Sequence, residues 1–533
     1  MGDGNNSKEF PMGEAVRGAY NRGEEDEALE PLVLEVNGAR PGAIGDGEYV
    51  IFYDIRGERE IELTKSFTEK GFHEFKRIDN RTAKFVTMVE YDRNLKADVA
   101  FPPEEKIGDT LCEVICGKGL KVGKIVESEK AVHLSFFLNG KRNEPFPGEE
   151  RIFIQSRKDI TNYDACPEMS IDEVASEAEK RLGEKKFDLL IINFANIDVV
   201  GHIENEDAVK KAVEAVDHNI ERVIRAARSA GYHCIITADH GTVEKWFYPE
   251  GTVDTGHTDS PVPFILVPPS DESLNDIKLR EGCELTDIAP TILDIMGIET
   301  PPSMTGKSII AGKSLNAGKN KNRVLLLIVD GWGHKDEKHG NLIAASNTPN
   351  MDNLISNYPF TTLKAAGEAV GMPDGTVGNS EVGHLHIGAG RRLYSDRLRI
   401  DKSIEDRAFF KNPAFLKAMK ESKENKKPLH LLGIVSFYSS HGSIKHLFAL
   451  MEMAKENGLN EVYIHSFLGR RGERPESGSI YIKQVEEKAK MLGVGKVVDV
   501  IGRFWSLDRE ENWDRIEKTY RALAYREGGI VKG

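Results

Sequence analysis

Three apolar runs of the chain end in groups able to bind a metal ion. Asp330, in DGWG, follows VLLLIV (324–329); Asp239 and His240 follow CIIT (234–237) and Ala238; Asp198 follows LLIINF (189–194), with His202 four residues on. His257 stands in a separate loop, TGHT (255–258). In an open α/β sheet, ligands gather beyond the carboxyl ends of the strands. Carboxylates brought together there repel one another unless a cation compensates. Three Asp and three His in such places suit a pair of divalent ions such as Mn²⁺ or Zn²⁺. Singly, each has an ordinary reading: an Asp after a strand caps a helix, and a lone His sits at the surface or in the core. The recurrence at three strand ends is what points to metal.

A second motif is GNSEVGH (378–384). Glycine and asparagine permit a tight turn, and a serine at a helix start meets exposed backbone N–H groups. Ser380 is open to three readings: a helix cap, the nucleophile of a Ser-His-Asp hydrolase, or a metal-activated nucleophile. The hydrolase elbow is G-x-S-x-G, and Val382 occupies its final glycine position. A metal-activated serine fits better. GKS at 312–314 ends like a phosphate loop, but Lys307 stands where that motif needs its first glycine.

These residues need rigid elements to hold them. The runs at 49–53, 189–194, 234–237 and 324–329 are continuously apolar, as in strands buried on both faces of a parallel sheet. Amphipathic helices, such as one over 207–227, alternate with them. The expected class is therefore α/β, with a mostly parallel sheet. The first ~45 residues are polar, Gly-rich and acidic (GEEDE at 23–27), which reads as a solvated surface segment. Residues 311–322 (AGKSLNAGKNKN) read as a linker.

Composition narrows the function classes. The chain has 533 residues, 72 Lys+Arg against 86 Asp+Glu, and a net charge of −14. That length suggests two to four domains. The acidic balance argues against nucleic acid or an anionic membrane surface as partner. No apolar run approaches the ~18 residues of a spanning helix. The first ten residues lack a signal-peptide core, and Asn6 stands where myristoylation needs Ser or Thr. Five cysteines without a C-x-x-C pair suit a reducing cytoplasm. A cytoplasmic monomer is expected.

DGWG (330–333), NTPNMD (347–352), GNSEVGH (378–384), NFANIDVVGH (193–202), TADHG (237–241) and TGHTDSPVPF (255–264) together resemble cofactor-independent (2,3-bisphosphoglycerate-independent) phosphoglycerate mutase, of the alkaline phosphatase superfamily. The resemblance implies two α/β domains, one alkaline-phosphatase-like and one smaller phosphotransferase domain. It implies two divalent ions, Mn²⁺ foremost, with Zn²⁺, Co²⁺ or Mg²⁺ as possibilities. Asp330, Ser380, Asp239 and His240 would hold one ion, and Asp198, His202 and His257 the other. Ser380 would take the phosphoryl group from a small anionic phosphorylated substrate and return it to the other glycerate hydroxyl. The motif order is not the family's. The family's closing segment, LTDIAPTILDIMG (285–297), here precedes DGWG, which implies circular permutation. The expected organisation is phosphotransferase domain over 1–100 and 401–533, phosphatase-like domain over 101–310 and 323–400, and a linker at 311–322.

The same resemblance implies a substrate-binding set. Arg503 and Arg509 match a GR…DR pattern, Arg471 lies in LGRRG where the family has TDGRD, and Arg56 and Arg59 lie in IRGER where it has FRPDR. Lys130 matches a lysine placed before an apolar strand (SEKAVHLSFF), and His441 matches the histidine of VSDGGVHSH, here VSFYSSHGS; both are also assigned to catalysis. Phe437, Gly469 and Gly472 replace expected Asp residues. The lost carboxylates imply a ligand more anionic than phosphoglycerate. Two alternatives follow: phosphoryl or phosphonyl transfer between such a donor and glycerate, or a phosphatase on small phosphate esters.

Overall fold

The computed structural model describes residues 10–533 except 80, 104–106, 158–161, 249, 272–276, 313–314, 316–321, 437–440 and 470–475. The chain forms two compact units, one made of Met1–Pro103 with Asp396–Gly533 and the other of Glu104–Ser395. Both are α/β. Each carries its own apolar core.

The sheet of the 104–395 unit has eight strands in the order Cys283–Glu284, Phe360–Lys364, Val262–Val267, Tyr232–Thr237, Arg323–Val329, Leu189–Phe194, Val122–Glu127, Glu149–Ile154. The three runs that end in candidate ligands are neighbours, with Arg323–Val329 central and parallel to both flanking strands. They are almost wholly buried, which explains their continuous apolar sequence. The helix Glu206–Ser229 packs Val209, Val213, Val216, Ile220 and Val223 into the core at helical spacing.

The other unit has a second eight-stranded sheet, in the order Gly529–Lys532, Leu32–Glu35, Lys496–Gly502, Val462–Leu468, Leu429–Ile434, Tyr49–Phe52, Lys84–Val89, Ala97–Phe101. All neighbours in it are parallel except Leu32–Glu35 against Lys496–Gly502.

Two sequence expectations are corrected here. The early segment is not a solvated tail from residue 10 onward. Helix Pro11–Tyr20 buries Met12, Val16 and Ala19, and Leu32–Glu35 is an interior strand. Residues 12, 16 and 19 share one helical face, a stripe too short to stand out from the polar composition around it. Nor is AVHLSFF a strand. His133–Phe137 is a π-helical turn, and Lys130 ends the short helix Ser128–Lys130, which follows the strand Val122–Glu127. The 311–322 linker begins within the two-residue strand Ile310–Ala311, and apart from 312, 315 and 322 it otherwise lies outside the described residues.

Candidate metal and nucleophile site

The site forms where three parallel strands end side by side. Asp330 follows Val329 directly, Asp239 and His240 follow Thr237 by two and three residues, and Asp198 lies in the short helix Asn196–Gly201 after Phe194. The chain turns at Gly331 with φ +87°, and a Cβ there would lie 2.9 Å from the Asp198 backbone N. Only glycine lets Asp330 and Asp198 approach this closely. Ser380 is the first residue of helix Ser380–Ala389. Asn379 caps that helix, its side chain accepting the Val382 N–H at 3.0 Å. The cap reading of Ser380 thereby falls away, and its hydroxyl is directed elsewhere.

That hydroxyl meets three groups. Lys130 Nζ lies 2.6 Å from Ser380 Oγ, His240 Nε2 lies at 3.0 Å, and Asp330 Oδ1 at 3.3 Å. The same ammonium reaches Asp198 Oδ2 at 2.6 Å and Asp330 Oδ1 at 2.7 Å, so all three of its donors are used. His257 Nε2 lies 3.0 Å from Asp198 Oδ1 and 3.2 Å from His202 Nε2, while His202 Nε2 lies 3.4 Å from Asp198 Oδ1. His202 and His257 are oriented through their other ring nitrogens by the carbonyls of Thr255 and Gly378. A carbonyl on the second nitrogen is the usual way to aim a metal-binding imidazole.

Among the described residues of this unit, two triads present ligand atoms within 4.8 Å of one another: Asp239, His240 and Asp330, and Asp198, His240 and His257. His240 thus belongs to both groups, and His202 stands at the edge of the second. Charge pairing dominates the electrostatics. Burial opposes ionisation of Asp198 and Asp239, but Lys130 acting on Asp198 and His240 acting on Asp239 hold both well below the usual carboxylate range. Burial disfavours the His240 imidazolium, but Asp239, Asp330 and Asp198 raise its pKa to about 10. Asp239 Oδ2 is buried, with His384 Nδ1 3.2 Å and His240 Nε2 3.5 Å away. Carboxylates, imidazoles and one hydroxyl converge here, with Asp198, Asp239 and Asp330 all buried. This set fits borderline-hard divalent ions.

Two supporting residues were missed in the sequence. His384 Nδ1 lies 3.2 Å from Asp239 Oδ2, and its Nε2 lies 3.1 Å from Asn193 Nδ2, which donates to Asp330 Oδ2 at 2.9 Å. Both sit inside motifs already singled out. His384 is four residues after Ser380, which on a helix places it on the same face.

The anion-binding candidates divide between the units. Lys130 lies with Ser380. In the other unit, Arg56 and Arg509 both reach the Glu58 carboxylate, at 3.3 and 2.9 Å, and Arg59 donates to the Leu507 carbonyl at 3.2 Å. Arg503 lies 3.9 Å from Glu27. His441 is 2% exposed and its Nδ1 is 2.8 Å from Glu60 Oε1. Arg471, Phe437 and Gly472 lie outside the described residues. Gly469 has φ +105°, and a Cβ there would lie 2.7 Å from Glu27 Cα, so the backbone itself excludes an Asp. Glu58, which stands where the FRPDR motif has its Asp, pairs with two of the arginines.

A serine hydroxyl among carboxylates and imidazoles at the strand ends of an α/β sheet is an arrangement suited to metal-dependent phosphoryl transfer. The profile of the Metalloenzyme superfamily matches residues 31–300, and that of the BPG-independent PGAM N-terminus matches residues 400–532. The chain belongs to the Metalloenzyme superfamily. It is 42% identical over 298 residues to a 2,3-bisphosphoglycerate-independent phosphoglycerate mutase of Moorella thermoacetica, covering 56% of each chain. It is 41% identical over 297 residues to the enzyme of that name from Syntrophotalea carbinolica, again covering 56% of each. The chain spans about half the length of the curated relatives it matches. Among solved structures, a Leishmania mexicana phosphoglycerate mutase at low cobalt concentration matches at 26% identity and a TM-score of 0.37, over 52% of this chain and 53% of that one.

Proposed function

We propose that this protein is a metal-dependent phosphotransferase that interconverts 2- and 3-phosphoglycerate through a phosphoserine at Ser380. The observation that carries the reading is the set of contacts on Ser380 Oγ, from Lys130, His240 and Asp330. The names of the relatives favour the mutase over phosphonyl transfer and over a plain phosphatase.

Asp330, Asp239, His240 and Ser380 would hold one divalent ion, and Asp198, His257 and His202 the other, with Mn²⁺ the first choice. Such ions, when bound, supply Lewis-acid stabilisation of phosphoryl oxygens and favour the serine alkoxide. The chain's own groups do the rest. Lys130 places positive charge at the attacking oxygen and at the phosphoryl group it meets. The N-terminus of helix Ser380–Ala389 favours the dianion formed on Ser380. Asn193 and His384 fix Asp330 and Asp239. Arg56, Arg59, Arg503 and Arg509, with Arg471, bind the substrate's carboxylate and phosphate, for which the guanidinium fork is suited. Phosphoserine then returns its phosphoryl group to the other glycerate hydroxyl.

The same reading includes circular permutation, with the phosphotransferase domain at both ends of the chain. Its support is the order of matches: a profile described as an N-terminus falls on residues 400–532, after the superfamily match at 31–300. A cytoplasmic location is part of the reading, supported by five buried cysteines without a disulfide. Among the described residues, no helix is long and apolar enough to cross a membrane.

The test is to supply 3-phosphoglycerate with Mn²⁺ and follow 2-phosphoglycerate and free phosphate together. Conversion without phosphate release, with a phosphoryl adduct on the intact protein that Ser380→Ala abolishes, is expected. Phosphate release without 2-phosphoglycerate would replace the mutase reading by a phosphatase.

A further inference from the structure

The 1–103 and 396–533 unit contains a buried ligand-type cluster that phosphotransfer at Ser380 does not use. Asp54 lies two residues beyond strand Tyr49–Phe52. His441 lies in the segment after strand Leu429–Ile434, and these two strands are parallel neighbours. Glu60 immediately precedes helix Ile61–Thr68. Asp54 and Glu60 are 0% exposed and His441 2%. One potential ligand atom from each lies within 4.8 Å of the other two. The topology repeats that of the other unit, with acid and imidazole groups delivered at adjacent strand ends.

The hydrogen bonds leave this cluster incomplete. Asp54 Oδ1 accepts the Ile434 N–H at 2.8 Å, Glu60 Oε2 accepts the Arg59 N–H at 3.0 Å, and Glu60 Oε1 meets His441 Nδ1 at 2.8 Å. Asp54 Oδ2, fully buried, has no partner. Two adjacent buried carboxylates with an unsatisfied oxygen need a proton or a cation between them. Asp54, Arg503, Arg56 and Arg59 are charged neighbours that act on His441.

We propose that Asp54, Glu60 and His441 bind a divalent cation of the Mn²⁺, Fe²⁺ or Zn²⁺ type, separate from the centre around Ser380. Two carboxylates and one imidazole match the ligand preferences of these ions and leave further positions for water or an anion. Small side-chain adjustments would bring these ligand atoms to the ~2.0–2.2 Å of bonds to one ion. Burial, helped by Arg503, Arg56 and Arg59 against the pull of Asp54, lowers the His441 pKa to about 4. The inference reassigns His441 from the substrate to the ion.

The experiment counts metal on the full-length protein. Wild type, Glu60→Gln, Asp54→Asn and Asp239→Asn are loaded with Mn²⁺, freed of excess, and assayed for manganese per chain by mass spectrometry. The expected result is one equivalent lost in Glu60→Gln and in Asp54→Asn. Asp239→Asn should lose manganese separately, and Glu60→Gln combined with Asp239→Asn should lose the sum. Failure of the Ser380 centre would show as unchanged content in Asp239→Asn, while the equivalent lost with Glu60 still upholds this site. Should either variant fold poorly by circular dichroism, titration of the wild type with Co²⁺ decides: the visible band of the ion should saturate one equivalent above that of a His441→Asn protein. Equal metal content in wild type, Glu60→Gln and Asp54→Asn, or equal Co²⁺ saturation, would overturn the proposal and leave a proton-sharing acid pair.

Discussion

The ammonium of Lys130 lies 2.6 Å from the hydroxyl oxygen of Ser380 and is 4% exposed. Asp198 and Asp330 hold it there, so one buried cation serves two carboxylates and the nucleophile. Replacing it by Met strands both acids. In metal-free protein, Lys130→Met should lose about 3–5 kcal/mol of stability, the cost of breaking a buried pair. Mn²⁺ should recover much of that loss. At saturating Mn²⁺, kcat should still fall about 10²–10³-fold, as when a preorganised donor to the developing charge is removed. Urea melts with and without Mn²⁺, and steady-state kinetics, check both parts.

Metal affinity should depend on pH through His240. Its pKa is raised to about 10 in the metal-free protein, so it is protonated at neutral pH and must lose that proton to become a ligand. Affinity for the ion it holds should rise about tenfold per pH unit between roughly pH 6 and 9. Calorimetry in buffers of different ionisation enthalpy should show a proton released. A pH-independent affinity would show that His240 is not a ligand.

His386 gives a stability prediction from a pKa shifted the other way. Its Nδ1 lies 2.7 Å from the Val382 carbonyl and its Nε2 accepts the Leu393 N–H at 3.0 Å, which fixes a neutral tautomer. Burial lowers its pKa to about 4. Between the unfolded value near 6.5 and about 4, the unfolded chain binds more protons, so stability falls as pH falls. The contribution is at most about 1.4 kcal/mol per pH unit. Denaturant melts of His386→Gln should show a shallower loss than wild type between pH 6 and 4.5.

The packing of the early helix can be tested at Met12, which is 0% exposed. Met12→Ala should cost about 2–5 kcal/mol, the range for large-to-small changes in a core. A cost near zero would return residues 10–20 to the status of a surface segment.

Arg509→Ala should act on substrate binding rather than on the nucleophile. The loss of a charge-assisted contact of about 1.5–3 kcal/mol corresponds to a KM raised roughly 10–100-fold. The phosphoryl adduct on Ser380 should still form at high substrate. Abolition of the adduct at every substrate concentration would assign Arg509 to the chemistry itself.

The α/β class and the set of residues around Ser380 can be read from the sequence. Parallel strands buried on both faces leave unbroken apolar runs, and ligand chemistry at their ends admits few residue types, so Asp330, Asp239, His240 and Asp198 were legible directly. Tertiary structure alone decided which groups meet. Lys130 is 68, 200 and 250 residues from its three partners, and no local pattern encodes such contacts. The helix at 11–20 and the strand at 32–35 gain their stability from a sheet built mostly of later residues, and their polar composition hid this. Asp54, Glu60 and His441 form a cluster only because two strands nearly 400 residues apart in sequence lie side by side, with Glu60 and His441 separated by 381 positions. Burial, which turns those three ordinary side chains into a candidate ion site, is a property of the folded core and not of any segment within it.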